Sequence, residues 1–497
     1  MTGAAGGPEA RARRIRDRLG LVFEESRPGR RGVDPIPLDV PPAPPEAEPE
    51  ILRERVEGLP ELSEPEVVRH FTRLSRLNYS IDRGLYPLGS CTMKYNPKVH
   101  EWAARLPGFA RVHPYSPDAL AQGCLDLLAG LESLLATITG MDAVTLQPAA
   151  GAHGELTGIL LIRACLEARG DARKVILVPD SAHGTNPATA SFSGYAVEEI
   201  PSDARGCVDL DALRRRAAVG DVAAMMATNP NTLGVFEEDI AEVARVLHEN
   251  GAMLYMDGAN MNAMIGITRP GDAGVDVMHL NLHKTFSTPH GGGGPGAGAV
   301  AVKRHLEPFL PVPRVSGAPG ARRLGYDRPQ AIGRVRSFYG NFGMLVRAYA
   351  YIRSLGAEGL RESGLTAILN ANYVRRRLEG VLHLPYSSPS YHEVVFSDRD
   401  LEAQTGIKTL DLAKRLMDYG FHPPTVYFPL IVHGALMIEP TETESREELD
   451  AFVEAVRAIV EEARTDPDLV RSAPHTTPVR RLDETGAARK PKLRFRP

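Results

Sequence analysis

The sequence predicts an α/β protein built around a mostly parallel central sheet, with a smaller α/β domain toward the C terminus. Short runs of apolar residues alternate with segments of helical periodicity along most of the chain. These runs lack the apolar–polar alternation of a half-exposed strand, which is typical of strands covered by helices on both faces. At 497 residues the chain is also too long for one ordinary hydrophobic core, so we expect two domains with extensions.

The first part of the chain is predicted to precede the folded domains. Residues 1–60 are rich in proline, arginine and glutamate, and Asp39–Glu50 ("DVPPAPPEAEPE") is typical of an extended segment. A helix is predicted after Ser63, which can cap it together with Glu66. The long loop that follows contains "YPLGSCTMKYNPKVHE". Loops of this length are usually functional or disordered, and the aromatic residues of this one favour the first, so we assign residues 61–123 to a helical and loop arm.

Residues 124–330 are predicted to form the large domain that carries the sheet. Its strand candidates are "AVTLQP", "KVILVP", "DVAAMMA", "AMLYM", "VDVMHL" and "GAGAVAVK", and helices lie between them, such as "EEDIAEVARVLHENG", which Gly251 ends. Residues 331–470 are predicted to form the smaller domain, and residues 471–497 a basic tail. Ligands of such sheets bind beyond the carboxyl ends of the strands. The polar residues expected at that edge are His153, His183, Asn186, Asn229, Asp257, His283 and Lys284.

The composition excludes several classes of protein. A net charge of −4, with 24% charged and 43% apolar residues, is ordinary for a globular protein and argues against non-specific nucleic-acid binding. The N terminus has arginines but no apolar signal segment, and no window reaches the apolar length of a membrane span. The four cysteines show no spacing typical of zinc ligands, so we expect reduced thiols, no metal and a cytoplasmic protein.

The segment "NLHKTFSTPHGGGGPG" contains a lysine and a run of glycines directly after a predicted strand. A phosphate-binding loop of the Walker type needs its lysine after the glycines and a helix behind it. Here Lys284 precedes the glycines, and they lead into another predicted strand. No dinucleotide-binding fingerprint opens the first strand–helix unit either. The remaining interpretation is covalent chemistry, because a lysine at the carboxyl edge of a sheet can form a Schiff base with a carbonyl group.

Pyridoxal 5′-phosphate is the commonest cofactor held in this way, and it requires further groups. Its ring nitrogen needs an anion to stay protonated, for which Asp257 is the candidate. His153 is the candidate partner for the face of the ring, and Asn229 or His183 for its phenolic oxygen. Its phosphate needs backbone N–H groups at the start of a helix, which "AAGAHGE" supplies with small residues. The predicted phosphate-binding residues are Ala150, Gly151 and Ala152.

Each residue also has a simpler interpretation when it is taken alone. Most lysines are solvated surface residues, an aspartate before glycine often shapes a turn, and a histidine can merely begin a helix. Their order on successive strand ends favours a common site. We therefore predict Lys284, His153 and Asp257 as catalytic residues. The predicted cofactor-binding residues are Lys284, Ala150, Gly151, Ala152, His153, His183, Asn186, Asn229, Asp257 and His283.

The strings "GAHGE", "DSAHGTNPA", "TNPNTLGVFE", "MDGANMNA" and "HLNLHKTFSTPHGGGGPG" occur in this order. With "YPLGSCTMKYNPKVHE" before them and "EPTETES" and "PHTTPVRRLDETGAARKP" after them, the chain resembles the decarboxylating glycine dehydrogenases, the P-proteins of the glycine cleavage system. The resemblance extends from about residue 55 to the end. It implies an aminotransferase-like fold (fold type I) that binds pyridoxal 5′-phosphate. The chain length is similar to that of the cofactor-bearing subunit, subunit 2, of the two-subunit form.

The resemblance implies a function as well as a fold. Lys284 would hold the cofactor, Asp257 would keep its ring protonated, and glycine would lose its carboxylate as CO2. The aminomethyl group would pass to the lipoyl arm of the H-protein. A separate subunit 1 is implied as a partner in an α2β2 heterotetramer. The resemblance also implies that the arm of residues 61–123 lies near the active site. The group that binds the glycine carboxylate stays open, with Ser90, Thr92 and Lys94 of this arm as candidates.

Two other functions stay open at this point. Another enzyme of the aminotransferase fold, such as an amino-acid decarboxylase or a desulfurase, would keep the same lysine, and "TNPNTLGVFE" resembles aminotransferase loops too. The chain could instead be a non-catalytic structural subunit. Such a subunit would be expected to lose Lys284 or Asp257, and this chain keeps both.

Overall fold

The computed structural model describes residues 20–34, 36–41, 51, 58–291 and 296–494. Most of the predicted extended segment Asp39–Glu50 lies outside these residues, and so do residues 292–295 of the glycine run. The chain divides into two units, one of residues 1–80 and 478–497 and one of residues 81–477. Within the described part of the chain, every helix is too short or too polar to cross a membrane.

The α-helices are α1 (Val22–Glu25), α2 (Glu64–Ser75), α3 (Lys98–Ala104), α4 (Pro107–Ala110), α5 (Gln122–Thr139), α6 (Gly151–Ala168), α7 (Thr185–Phe192), α8 (Leu210–Ala217), α9 (Ile240–Glu249), α10 (Phe342–Leu378), α11 (Arg399–Thr405), α12 (Thr409–Asp418), α13 (Arg446–Thr465), α14 (Pro467–Arg471) and α15 (Glu484–Arg489). The strands are β1 (Ala143–Thr145), β2 (Val175–Pro179), β3 (Ala196–Ile200), β4 (Val222–Thr228), β5 (Met253–Gly258), β6 (Val277–Asn281), β7 (Gly298–Val302), β8 (Arg314–Ser316), β9 (Arg323–Gly325), β10 (Val394–Ser397), β11 (Thr425–Val426) and β12 (Ala435–Ile438). Short 3-10 helices cover Asp118–Leu120, Met261–Ala263, Pro270–Ala273 and Arg304–Phe309.

Helix α2 belongs to the smaller unit and begins where the sequence predicts. The backbone N–H and the hydroxyl of Ser63 both donate to Oε2 of Glu66, each at 2.8 Å. The Ser63 hydroxyl and the Glu66 carboxylate together form a capping box at the start of the helix. The predicted cap is therefore confirmed.

Seven strands form the central sheet, in the order β1-β7-β6-β5-β4-β2-β3. Strands β2 to β6 are parallel to one another, whereas β7 is antiparallel to both β6 and β1. The prediction of a mostly parallel sheet is confirmed. The sequence does not predict β3, because its run "AVEEI" is partly exposed and carries two glutamates at the edge of the sheet.

Helices cover both faces of the central sheet, and β5 shows why the apolar runs do not alternate. Leu254 and Met256 point into one hydrophobic core. Met253 and Tyr255, which alternate with them, point into the core on the opposite face. Because side chains of a strand alternate between faces, a strand buried on both sides reads as a continuous apolar run.

A second, three-stranded antiparallel sheet follows in the order β10-β12-β11. Its core contains Phe396 of β10, Ile438 of β12 and Phe452 of α13. Helix α10 precedes this sheet and is interrupted at Gly356, which has a left-handed φ of 64°. This second sheet supplies residues next to the site described below.

Three glycines on one face of α6 let the helix approach β5 and β6 closely. A Cβ added at Gly151 would lie 2.4 Å from Nδ2 of Asn281, and one added at Gly154 would lie 2.8 Å from Cβ of His279. At Gly158 it would lie 2.5 Å from Cε2 of Tyr255. The absence of side chains at these positions therefore places the N terminus of α6 beside the end of β6.

Replacing Gly158 by alanine is expected to lower the free energy of unfolding by about 1–3 kcal/mol, because α6 and β5 must move apart. Denaturant unfolding followed by circular dichroism measures this change. Gly123→Ala is the matched control, since Gly123 also lies in a helix and an added Cβ there meets nothing within 4 Å. That variant should be neutral or more stable by up to about 1 kcal/mol. An equal loss in both variants would contradict the close-approach explanation.

Candidate active site

A cavity opens at the carboxyl edge of the central sheet. Strands β2, β4, β5 and β6 are parallel, so their carboxyl ends meet at this edge, where ligands of such sheets bind. The cavity has about 480 Å³ of space free of protein atoms, including the part open to solvent. It is lined by residues that follow these strands, by residues of α6 and by an early loop: Ser90, Ala152, Glu155, His183, Thr185, Thr228, Thr232, Asp257, Ala259, Asn260, His279, Asn281 and Lys284.

Lys284 lies in the turn directly after β6, and its side chain reaches into this cavity. Its Nζ donates a hydrogen bond to the backbone carbonyl of Ser90 at 2.7 Å. The residue is half-buried. A lysine that is held by one neutral acceptor at the wall of a cavity remains available for a ligand.

Asp257 lies near the end of β5 and is buried. Its Oδ1 accepts from the N–H of Ala259 (2.9 Å) and lies 3.1 Å from Nε2 of His279. No described residue donates to Oδ2. Burial by itself would raise the pKa of Asp257, but His279 and then Lys284 hold that pKa below its ordinary value. The cavity wall therefore carries a carboxylate that is charged at neutral pH.

His279 orients this carboxylate and in turn depends on Tyr255. The hydroxyl of Tyr255 lies 2.6 Å from Nδ1 of His279. Because ionised Asp257 can only accept, Nε2 of His279 must donate to it. The Tyr255 hydroxyl and Nδ1 of His279 form the second hydrogen bond of this ring, and burial raises the pKa of Tyr255 well above its ordinary value, so the hydroxyl stays neutral. Asp257 and His279 are directly paired across β5 and β6, so the backbone register sets this contact.

The start of α6 lies against the end of β6 and forms a small cradle. The first N–H groups of a helix have no acceptor within the helix and favour anions. Gly151 begins α6, and the Asn281 side chain lies against it. Asn281 also lines the cavity, and its Oδ1 has no hydrogen-bond partner within the described part of the chain. The Ala149 N–H is taken by Nδ1 of His153 at 3.1 Å.

The two histidines predicted near the cofactor ring lie in different places. His183 follows β2 and lines the cavity, and its Nδ1 lies 2.8 Å from the hydroxyl of Thr185. His153 lies in the first turn of α6 and is not among the residues that line the cavity, because its ring holds the loop before the helix. Burial lowers the pKa of both side chains, so both are neutral at neutral pH.

Besides His153, five predicted cofactor-binding residues are not among those that line the cavity: Ala150, Gly151, Asn186, Asn229 and His283. Asn229 accepts the N–H of Glu237 at 3.0 Å. His283 contacts the Ala297 backbone, and burial lowers its pKa to about 4. Asn186 is fully buried, and neither of its side-chain polar atoms has a partner among the described residues. Of the predicted residues, the structure brings Lys284, Asp257, His183 and Ala152 together at the cavity wall.

The sequence interpretation missed seven polar residues of the cavity wall: Glu155, Thr185, Thr228, Thr232, Asn260, His279 and Asn281. His279 and Asn281 lie inside the apolar run of β6, where a polar residue in a fully buried strand is itself a signal. Thr228 ends β4, and Glu155 lies in the second turn of α6, where its carboxylate accepts from the hydroxyls of Thr185 (2.9 Å) and Thr189 (3.0 Å). Their polarity marked them, but their common location depends on the fold.

The three residues predicted as candidates for binding the substrate carboxylate lie in different surroundings. Ser90 lines the cavity. Thr92 is buried, and its hydroxyl donates to Oε1 of Glu439 at 2.6 Å. The Lys94 ammonium is buried too, and it donates to Oε1 of Glu442 at 2.6 Å. Lys94 is therefore engaged in a structural ion pair away from the cavity wall.

The residues of the cavity fit pyridoxal 5′-phosphate. The cofactor needs an amine, an anion for its ring nitrogen and donors for its phosphate, and the cavity presents Lys284, Asp257 and the start of α6. Two buried wall atoms, Oγ1 of Thr228 and Oδ1 of Asn281, have no partner among the described residues. Buried polar atoms are normally hydrogen-bonded, so these two indicate a polar ligand.

Two family models match the chain. The model described as glycine cleavage system P-protein matches residues 46–319, and the model described as glycine dehydrogenase, C-terminal domain, matches residues 363–475. The probable glycine dehydrogenase (decarboxylating) subunit 2 of Desulforamulus reducens is 57% identical over 474 residues, which cover 95% of this chain and 98% of that protein. These matches span both the large sheet and the second sheet.

Solved structures share the fold. A crystal structure described as glycine decarboxylase (P-protein) of the glycine cleavage system, in inhibitor-bound form, has a TM-score of 0.70 at 23% identity and covers 83% of this chain and 93% of that chain. The apo cysteine desulfurase of Thermococcus onnurineus NA1 has a TM-score of 0.60 at 17% identity, with coverages of 76% and 95%. Both are enzymes of fold type I, which confirms the predicted aminotransferase-like fold. The fold alone does not distinguish a P-protein from a cysteine desulfurase, but the sequence matches do. The chain belongs to the P-protein family of the glycine cleavage system.

Proposed function

We propose that this chain binds pyridoxal 5′-phosphate at the cavity and decarboxylates glycine, releasing CO2 and transferring the aminomethyl group to the lipoyl arm of an H-protein. The observation that carries the proposal is the placement of the Lys284 amine and the Asp257 carboxylate on one cavity wall. Bound there, the cofactor would supply an electron sink for the electron pair left when the carboxylate departs.

Lys284 and Asp257 have separate tasks in this proposal. Lys284 would bind the cofactor through its Nζ, which the Ser90 carbonyl holds at the cavity wall. Asp257 would hold a proton on the ring nitrogen, because an anion beside a pyridine nitrogen stabilises its protonated form. His279 fixes the Asp257 carboxylate in place through the 3.1 Å contact at Oδ1.

The N–H groups at the start of α6 would bind the phosphate, with Ala150, Gly151 and Ala152 allowing close approach. Asn281 adds a side-chain amide beside Gly151. His183 is better placed than His153 to cover the face of the ring, because His183 lines the cavity. His153 would act on the phosphate loop instead, through the N–H of Ala149.

Membership of the P-protein family supports glycine as the substrate over the amino acids of desulfurases and other decarboxylases. A pocket that excludes a β-carbon by bulk would be enough to select glycine. The curated relatives are named subunit 2, which supports a partner subunit 1 and, by the earlier resemblance, an α2β2 assembly. We expect the isolated chain to have little activity, because the partner completes the site.

Exchange of labelled CO2 into the carboxyl group of glycine tests the proposal. The purified chain, loaded with pyridoxal 5′-phosphate, would be assayed with a lipoylated H-protein, with and without subunit 1. Exchange is expected only when both proteins are added. Full exchange by the lone chain would contradict the need for a partner. Covalent cofactor binding without exchange from glycine under any condition would favour another substrate of the same fold.

A further inference from the structure

Two buried carboxyl groups of the second sheet face the early loop next to Lys284. Glu393 directly precedes β10 and Glu439 directly follows β12. The antiparallel register pairs Val394 with Ile438, so Glu393 and Glu439 are the next cross-strand pair. Both side chains have 0% exposure, and their carboxylate oxygens approach within 4.8 Å. Two carboxyl groups in this arrangement require an explanation, because like charges directly opposite each other are destabilising.

Both carboxyl groups bind one turn of the early loop. Oε2 of Glu393 accepts the N–H of Ser90 at 2.6 Å, and its Oε1 accepts the Ser90 hydroxyl at 3.1 Å. Oε2 of Glu439 accepts the N–H groups of Cys91 (3.1 Å) and Thr92 (2.8 Å). The strings "LGSCTMKYNP" and "EPTETES", far apart in the sequence, therefore meet at this turn.

The turn needs this support, because two of its residues adopt an unfavourable backbone conformation. Ser90 has a φ of 58° and Thr92 a φ of 47°. Residues other than glycine rarely occupy this left-handed region, and a β-branched threonine is especially disfavoured there. Such strain persists only where the surroundings enforce it, and it is concentrated at functional sites. Here the enforcing groups are Glu393 and Glu439.

Two carboxylates this close and this deeply buried cannot both be ionised at neutral pH. Burial raises the pKa of both Glu393 and Glu439, and for Glu393 the charge of Glu439 raises it further. The other titratable groups that face them do not compensate fully. Lys284 is the adjacent cation, burial lowers the pKa of His392 to about 3, and burial raises the pKa of Cys91 to about 11. The charged Asp257 already lies near Lys284, so two further charges on Glu393 and Glu439 would lack a counter-ion.

We propose that Glu393 and Glu439 share one proton and act as positioning residues, which hold the Ser90–Thr92 turn so that the Ser90 carbonyl places the Lys284 amine. The proposal rests on the proposed function, in which Lys284 binds pyridoxal 5′-phosphate. A single shared proton leaves one carboxylate to accept the N–H groups of the turn. Loss of that proton at alkaline pH would bring two negative charges together and displace the turn.

Glutamine variants test the shared proton, because glutamine resembles a protonated glutamate and cannot lose the proton. Glu393→Gln, Glu439→Gln and the double variant would be compared with the wild-type chain by the affinity of the apo protein for pyridoxal 5′-phosphate, measured by absorbance from acid to alkaline pH. Infrared difference spectra against the wild-type chain would detect a protonated carboxyl group. Glu132→Gln is the matched control, since burial raises the pKa of Glu132 to about 7 and Glu132 lies on α5, away from the cavity.

At neutral pH each single variant should bind the cofactor within about threefold of the wild type, and the double variant at least about tenfold more weakly, because it lacks the charged acceptor. Because the folded-state pKa of the pair is raised, its contribution is present at low pH and is lost as pH rises through that pKa. The wild type and Glu132→Gln should therefore lose affinity at alkaline pH, and the single variants should lose less. In the difference spectrum against the wild type, both single variants should also show the loss of one protonated-carboxyl band, and Glu439 or Glu393 left alone should be ionised.

Three results would overturn the proposal. In the first, both single variants lose affinity for the cofactor at alkaline pH as much as the wild type does. In the second, each single variant at neutral pH binds the cofactor as weakly as the double variant. The third is an infrared difference spectrum in which the glutamine variants lose no protonated-carboxyl band relative to the wild type. The infrared result does not depend on the cofactor, so it decides the shared proton even if the wild-type chain fails to bind pyridoxal 5′-phosphate. That failure would refute the proposed function instead.

Discussion

Replacement of Lys284 by alanine is expected to abolish covalent binding of pyridoxal 5′-phosphate and to reduce CO2 exchange by at least about a thousandfold, as removal of an essential nucleophile does. Within the described residues, no other lysine reaches the cavity wall, so none can replace it. Borohydride reduction followed by peptide mass analysis would locate the attached cofactor, and the exchange assay would measure the loss.

Lys303 provides the matched control for this experiment. Its Nζ also donates to a backbone carbonyl, that of Gly140 at 3.1 Å. It follows β7, which is antiparallel to β6, so it lies at the opposite edge of the sheet from Lys284. Lys303→Ala should keep both the attached cofactor and the exchange activity. Cofactor attached to the Lys284→Ala chain, or activity retained in it, would refute the covalent role of Lys284.

Replacement of Asp257 by asparagine is expected to leave the cofactor bound but to reduce turnover about 100- to 10,000-fold. Asparagine can still accept the N–H of Ala259 and contact His279, but it has no negative charge for the ring nitrogen. The lowered pKa of Asp257 adds a pH signature. The stability that its charge contributes is present above the ordinary aspartate pKa and is lost only as pH falls through the lowered value.

Asp276→Asn is the control for this variant. Asp276 is also buried in contact with a histidine, since its Oδ2 lies 2.7 Å from Nε2 of His248. It precedes β6, at the opposite edge of the sheet from the cavity. This variant should lose stability but keep its kcat once folded. Separate measurements of cofactor affinity and kcat distinguish the two roles, and a normal kcat in Asp257→Asn would show that Asp257 only shapes the turn at Gly258.

The local sequence predicts the strands and the polar residues that follow each of them. Apolar runs buried on both faces predict β2, β4, β5 and β6, and the polar residues directly behind them must lie near one edge. Lys284 and Asp257 could be predicted as site residues for this reason. His153 and His183 could not be told apart, because a histidine near a helix start serves either the loop or the cavity, and the direction of its ring depends on the neighbouring chain.

The sequence by itself determined the α/β class and the family resemblance, and it predicted Lys284 and Asp257 as a lysine and its acidic partner, because apolar runs and the order of the polar residues behind them are properties of the local sequence. Only the tertiary structure decided which polar residues meet. The register of β5 and β6 pairs Asp257 with His279, and the second sheet brings Glu393 and Glu439 to the Ser90 turn. Such contacts join residues far apart in the chain, and burial, which sets their charge and their hydrogen bonds, is a property of the folded molecule alone.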